Sequence, residues 1–205
     1  MHIPHHFKNE NLQEVRDFLV KNSFGILINT INGKLWGSHI PLELDQDATG
    51  NDVLYGHISK ANPQWKSFQE EKDVLAIFSG THSYISASWY NHENVSTWNY
   101  IAVHVYGRIQ PIGEEELLAS LKKLTDKYEE NMENPMRVED LSPKTLRMIR
   151  GVVGFKIIIS DIQAAYKLSQ NRHDEDYHHI VKKLEETKDP ASIGIAENMK
   201  KKRKK

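Results

Sequence analysis

The first regular pattern of apolar and polar positions is helical. Leu12, Val15, Phe18 and Leu19 fall on one face of a predicted helix over 10–22, with Asn9 or Asn11 placed to cap it. The period then changes to two. Phe24 to Thr30 reads as a strand, Asn32-Gly33 as a tight hairpin turn, and Leu35 to Leu44 as the return. That return puts Trp36, Ser38, Ile40, Leu42 and Leu44 on one face and Gly37 and His39 on the other, and Pro41 marks a bulge or an edge. Further strands are predicted at Val53 to Ser59, Val74 to Ser79, Ser83 to Tyr90, Thr97 to Ile112 and Val153 to Ser160. Asn62-Pro63 opens a short helix carrying Trp65 and Phe68. Leu117, Leu118, Leu121, Leu124 and Tyr128 line an amphipathic helix, Ser142-Pro143 opens another, and Tyr177, Ile180, Val181 and Leu184 form the stripe of a C-terminal one. About six or seven short strands joined mostly by hairpins predict an antiparallel barrel with flanking helices, α+β or mainly β, rather than a doubly wound sheet.

The 205 residues suit a single domain over 1–187 with a helical extension, followed by a charged helical or disordered tail over 188–205. The net charge of -1 gives no global attraction to nucleic acid. Charge is concentrated in Lys200, Lys201, Lys202, Arg203, Lys204 and Lys205, which read first as a solvated tail and second as a weak nucleic-acid arm. With no cysteine, disulfides and thiolate metal sites are excluded. No signal peptide or membrane-length apolar run is evident, so a cytoplasmic location is expected. Dinucleotide, P-loop, nucleophile-elbow and HExxH motifs are all missing. His2, His5 and His6 invite adventitious metal only, and His178 and His179 are adjacent and cannot face one ion together.

Three segments are rich in polar and aromatic groups. Gly56, His57, Ser59, Lys60, Asn62 and Trp65 surround a strand-to-helix junction that suits a phosphate cradle, or is a capped turn with a solvated lysine. Ser86, Ser88, Trp89 and Tyr90, followed by Thr97, Trp98, Asn99 and Tyr100, suit a flat heteroaromatic ligand, or barrel packing. In the third, Lys167 and Arg172 are able to hold a phosphate, and Ser169, Gln170 and Asn171 to bond a ring edge; the plainer reading is a polar loop.

Taken in order, Ile3-Pro4 with Phe7, Ser38-His39-Ile40-Pro41-Leu42, Gly56-His57, Asn62-Pro63-Gln64-Trp65 and Tyr84-Ile85-Ser86 with Ser88-Trp89-Tyr90 resemble the PaiB family. So do Thr97-Trp98-Asn99-Tyr100, Val103-His104, Gly107, Val153-Gly154-Phe155 and Lys167-Leu168-Ser169-Gln170-Asn171-Arg172. The resemblance spans about Met1 to Leu184. It implies the FMN-binding split barrel, a homodimer with two flavin sites at its interface, FMN as cofactor, and a negative regulator of protease synthesis and sporulation. His39 joins the flavin-site candidates on this ground, and no catalytic residue is implied. The rival reading is a flavin-dependent oxidoreductase acting on a small molecule, since the fold alone does not choose. A haem-handling protein is third, on the strength of His39, His57 and His104. No helix-turn-helix is evident, so any direct contact with DNA is expected to be weak and sequence-independent.

Overall fold

The computed structural model describes residues 1–47, 49–70 and 72–203. Its elements are α1 (Leu12–Lys21), β1 (Phe24–Ile31), β2 (Lys34–Gln46), β3 (Asp52–Ser59), β4 (Asp73–Ile85), β5 (Thr97–Pro111), α2 (Glu114–Glu129), α3 (Pro143–Leu146), β6 (Val152–Lys167), α4 (Asp174–Glu186) and α5 (Pro190–Arg203), with short 3-10 turns between some of them. The six strands close into a barrel in the order β1-β2-β3-β6-β5-β4. This agrees with the antiparallel barrel and flanking helices expected from the periodicity.

Local chemistry explains most element boundaries. Asn11 caps α1 by accepting from the Glu14 N–H at 3.1 Å. Asn32 (φ 51°) and Gly33 (φ 74°) both take the left-handed conformation that a two-residue hairpin needs, which pairs Ile31 with Lys34. Pro41 is the last β2 residue paired with β1, and Leu42 is the first paired with β3. A residue without an N–H is tolerated where the ladder changes partner.

The strand pattern departs from the sequence reading in two places. The segments expected as separate strands at Val74 to Ser79 and Ser83 to Tyr90 form the single strand β4, which ends at Ile85. Along it the buried positions are Val74, Ala76 and Phe78, then Ser83 and Ile85. This change from even to odd positions interrupts the period of two and imitates a strand break. Likewise β6 runs past Ser160 to Lys167, because exposed Ser160 and Asp161 interrupt the apolar pattern without ending the strand.

The chain divides into two compact units. The barrel unit is Arg16–Phe78 with Val105–Ile162; the helical unit is Met1–Val15, Ser79–His104 and the chain from Gln163 onward. In the barrel unit Leu27, Leu42, Val53, Leu54, Phe68, Phe78, Val105, Phe155 and Ile157 are fully buried. Gly107 is required there: a Cβ would stand 2.3 Å from the Ile158 carbonyl oxygen. In the helical unit Ile85, Val103, Leu168, Tyr177, Ile180 and Leu184 are buried with Ile195, Ala196 and Met199 of α5.

Of the two alternatives for the charged tail, helical or disordered, the described cations Lys200 to Arg203 take the helical one. Up to Arg203 they lie on α5, because its buried face fixes the helix, and each large apolar side chain so buried contributes roughly 1.5–3 kcal/mol. Lys200 pairs with Glu185, Lys202 with Glu14 at 3.3 Å, and Arg203 with Asp174, while Lys201 is exposed. Lys204 and Lys205 lie outside the described residues. Among the described residues no helix is long and apolar enough to cross a membrane, and no group of three or more His, Asp or Glu side chains is arranged to hold a metal ion.

Candidate functional site

In the barrel unit, β3 ends at Ser59 and the chain turns into a 3-10 helix at Pro63. Asn62 caps it: its Oδ1 accepts from the Gln64 N–H at 3.1 Å, and its Nδ2 donates to Ser38 Oγ at 2.8 Å. Ser59 Oγ accepts from the Ala61 N–H at 3.2 Å, and Trp65 Nε1 donates to the Lys60 carbonyl at 3.0 Å. Gln64 is completely buried and donates to the Leu27 carbonyl at 3.2 Å and to Asn29 Oδ1 at 3.0 Å. Asn29 in turn donates to Ser67 Oγ at 2.8 Å. Only Gln64 Oε1 is left without a partner in this network. The Lys60 side chain is exposed at a pocket of about 260 Å³ shared with Arg150, Ile112, Leu117 and Gly154. His39 is exposed, and burial lowers the pKa of His57.

In the helical unit, Lys167 at the end of β6 donates to Thr97 Oγ1 at 2.6 Å and sits 5.8 Å from the Phe7 ring centre. Burial and then the charge of Arg172 lower its pKa. The Arg172 guanidinium stands 4.9 Å over the buried Tyr90 ring, whose hydroxyl has no partner. Among the described residues neither cation has a carboxylate in ion-pair range. Between them the chain makes a tight turn. Ser169 is left-handed at φ 57°, and the Arg172 N–H donates to its carbonyl at 3.1 Å. Gln170 Oε1 accepts from the Leu168 N–H at 2.7 Å, and its Nε2 donates to the Tyr166 carbonyl.

The polar residues predicted from the sequence therefore divide into two sets. Asn99 and Ser169 are buried and bonded to each other in both directions, at 3.0 and 3.2 Å, so they fasten β5 to the turn. Gln170 is spent on backbone, while Asn171 is exposed. Ser86 Oγ caps the turn through the Ser88 N–H, and Trp89 and Tyr100 are half-buried. Strand alternation also divides Thr97-Trp98-Asn99-Tyr100. Thr97 and Asn99 share the face that reaches Lys167 and Ser169, whereas Trp98 is 52% exposed on the other face, with ring centres of His82 and Tyr84 5.9 Å away.

His39, His57, Ser59, Lys60, Asn62 and Trp65 thus belong to the barrel unit, and the Ser86–Tyr100 and Lys167–Arg172 residues to the helical unit. Two cations that repel each other, with no carboxylate in ion-pair range among the described residues, suit a polyoxygen anion, which would relieve that repulsion and accept from both. The donor set at Lys167 and Arg172 suits a phosphate group. Sequence reasoning missed the burial of Gln64 against Asn29 and the seat that Tyr90 gives Arg172. Gln64 carried a signal, since it stands four residues before Phe68 in a helical segment yet is polar.

Residues 1–161 match the family model described as "Putative FMN-binding domain". The chain is 44% identical over 208 residues to protease synthase and sporulation protein PAI 2 of Bacillus subtilis, covering all of this chain and 99% of that one. Two solved structures share the fold at low identity. The FAD and heme binding protein of Mycobacterium smegmatis superposes with a TM-score of 0.63 at 15% identity, covering 84% of this chain and 79% of that one. The flavocytochrome Anf3 of Azotobacter vinelandii gives 0.62 at 18% identity, covering 86% and 78%.

Proposed function

The chain belongs to the FMN-binding domain family, and from that premise we propose that it is an FMN-binding split-barrel protein that acts as a negative regulator of protease production and sporulation. The observation that carries the cofactor assignment is the Lys167–Arg172 pair, two mutually repelling cations with no carboxylate in ion-pair range among the described residues. The regulatory assignment rests on the full-length likeness to the Bacillus subtilis protein.

In this reading Arg172 presents a planar fork to the phosphate, and Lys167, oriented by Thr97, adds a second donor. The buried Asn99–Ser169 pair keeps the turn in shape, and Tyr90 supports the Arg172 guanidinium from below. The bound flavin supplies any redox chemistry, and the chain supplies orientation and charge. The phosphate ends in this cluster, so FMN is bound more tightly than FAD or riboflavin. Calorimetry with the three ligands tests this: equal heats, or none with FMN, overturn it.

The chain acts as a homodimer. Trp98, Tyr84 and His82 form an exposed aromatic face on β4 and β5 that a second copy would cover, burying above about 2,000 Å² in total. A monodisperse monomer in light scattering at micromolar concentration contradicts this. Direct DNA binding is weak, because Lys200, Lys202 and Arg203 are already paired with carboxylates.

A further inference from the structure

The last turn of α5 grips the Leu168–Arg172 turn at both ends. At one end, Met199 is fully buried and its sulfur accepts from Asn99 Nδ2 at 3.6 Å; Asn99 is bonded to Ser169. At the other, Arg203 Nη1 donates to the Arg172 carbonyl at 3.4 Å, and its guanidinium lies 4.3 Å over the Tyr177 ring. Asp174 pairs with the same guanidinium. The Tyr177 hydroxyl donates to the Met199 carbonyl at 2.6 Å, which ties the last turn of α5 to α4. Ser169 needs such support, because a non-glycine residue at φ 57° persists only where its surroundings hold it.

We infer that Arg203 is a positioning residue for Arg172: by fixing the Arg172 carbonyl it holds the guanidinium over Tyr90, and the C-terminal helix thereby sets the affinity of this turn for a phosphate group. The inference rests on the flavin assignment for its ligand, but not for its geometry. It gives the basic end of α5 a role inside the molecule in place of the nucleic-acid arm that its composition suggests.

The position matters as much as the charge. Arg203 uses its plane on Tyr177 and its separate N–H groups on Asp174 and the Arg172 carbonyl. Lysine keeps the charge but offers neither the plane nor the fork. Arg203→Lys should therefore restore only part of what Arg203→Ala removes. A purely global role would instead lower the affinity for every ligand alike.

The test uses the full chain with Arg203→Ala and Arg203→Lys. FMN and riboflavin are titrated by flavin fluorescence, and backbone hydrogen exchange over residues 169–173 is measured without ligand. Arg203→Ala should weaken FMN about tenfold and riboflavin less than about twofold, with faster exchange over the turn. Arg203→Lys should fall between Arg203→Ala and the wild type. Unchanged FMN affinity with unchanged exchange overturns the inference, and so does an equal loss of FMN and riboflavin. If the wild type ignores FMN, the flavin assignment fails, and exchange in the ligand-free variants still decides whether Arg203 holds the turn. Should Arg203→Ala not fold, Arg203→Lys carries the same two readouts.

Discussion

At Asn62–Trp65 the polar side chains are bonded to the chain itself, whereas at Lys167–Arg172 two cations repel each other and, among the described residues, neither has a carboxylate in ion-pair range. The stretch from Ser59 to Trp65 and the one from Lys167 to Arg172 look alike in composition, each mixing lysine, amides, a hydroxyl and a nearby aromatic. Their chemistry differs because hydrogen bonds spent on caps and turns leave nothing for a ligand. What distinguishes a site from a well-made turn is the capacity left over after the fold has satisfied its own backbone.

The largest effect expected from this contrast is on stability in the barrel unit. Gln64→Ala removes the donors to the Leu27 carbonyl and Asn29 and opens a cavity, so it should cost about 2–4 kcal/mol. Arg172→Ala, which loses only its contact with the Tyr90 ring, should cost under about 1 kcal/mol. Urea unfolding of both variants makes the comparison. A Gln64→Ala protein as stable as Arg172→Ala would mean that the buried amide network holds nothing.

The ranking should reverse for ligand binding. Arg172→Ala should cost FMN roughly 1.5–3 kcal/mol, the value of a charge-assisted contact to phosphate. Lys60→Ala, which removes an exposed lysine from the other cluster, should change FMN affinity by less than about threefold. Calorimetry in which Lys60→Ala is the more damaging variant would move the phosphate to the barrel unit.

The barrel was legible in the sequence because its signals are local. The Asn32-Gly33 turn, the Asn62-Pro63 cap and the regular alternation of β5 from Asn99 to Ile109 each occur within a few residues. The continuity of β4 was not, because its buried positions change phase between Phe78 and Ser83. The candidate site was half legible. Residue types marked Lys167 and Arg172, but nothing local shows that Asn99 is consumed by Ser169, 70 residues away, or that Trp98 stands exposed beside His82 and Tyr84. The pairing of the basic end of the chain was not legible, since its partners Glu14, Asp174 and Glu185 are distant in sequence.

The smallest effect is on pH dependence, and it separates histidine from lysine. Burial lowers His57 below its ordinary value of 6.5, and burial with the charge of the chain's amino terminus lowers His104. Below pH 6.5 the unfolded chain takes up protons that the folded protein resists, so stability falls as pH drops from 6.5 through the folded values and then levels off. Lys167 is also lowered, from 10.5, and the same linkage makes stability rise with pH between its folded value and 10.5, a window well separated from that of the histidines. A bound phosphate favours charged Lys167, so FMN affinity should decline as pH climbs into that alkaline window while remaining insensitive to the histidines. Urea midpoints at pH 7.5 and 5.5 should therefore differ in the wild type and differ less in His57→Gln, while FMN affinity changes equally in both proteins over that range. An undiminished pH difference in His57→Gln would show that this histidine is not a source of acid sensitivity. A selective change in its FMN affinity would instead connect the barrel cluster to the ligand.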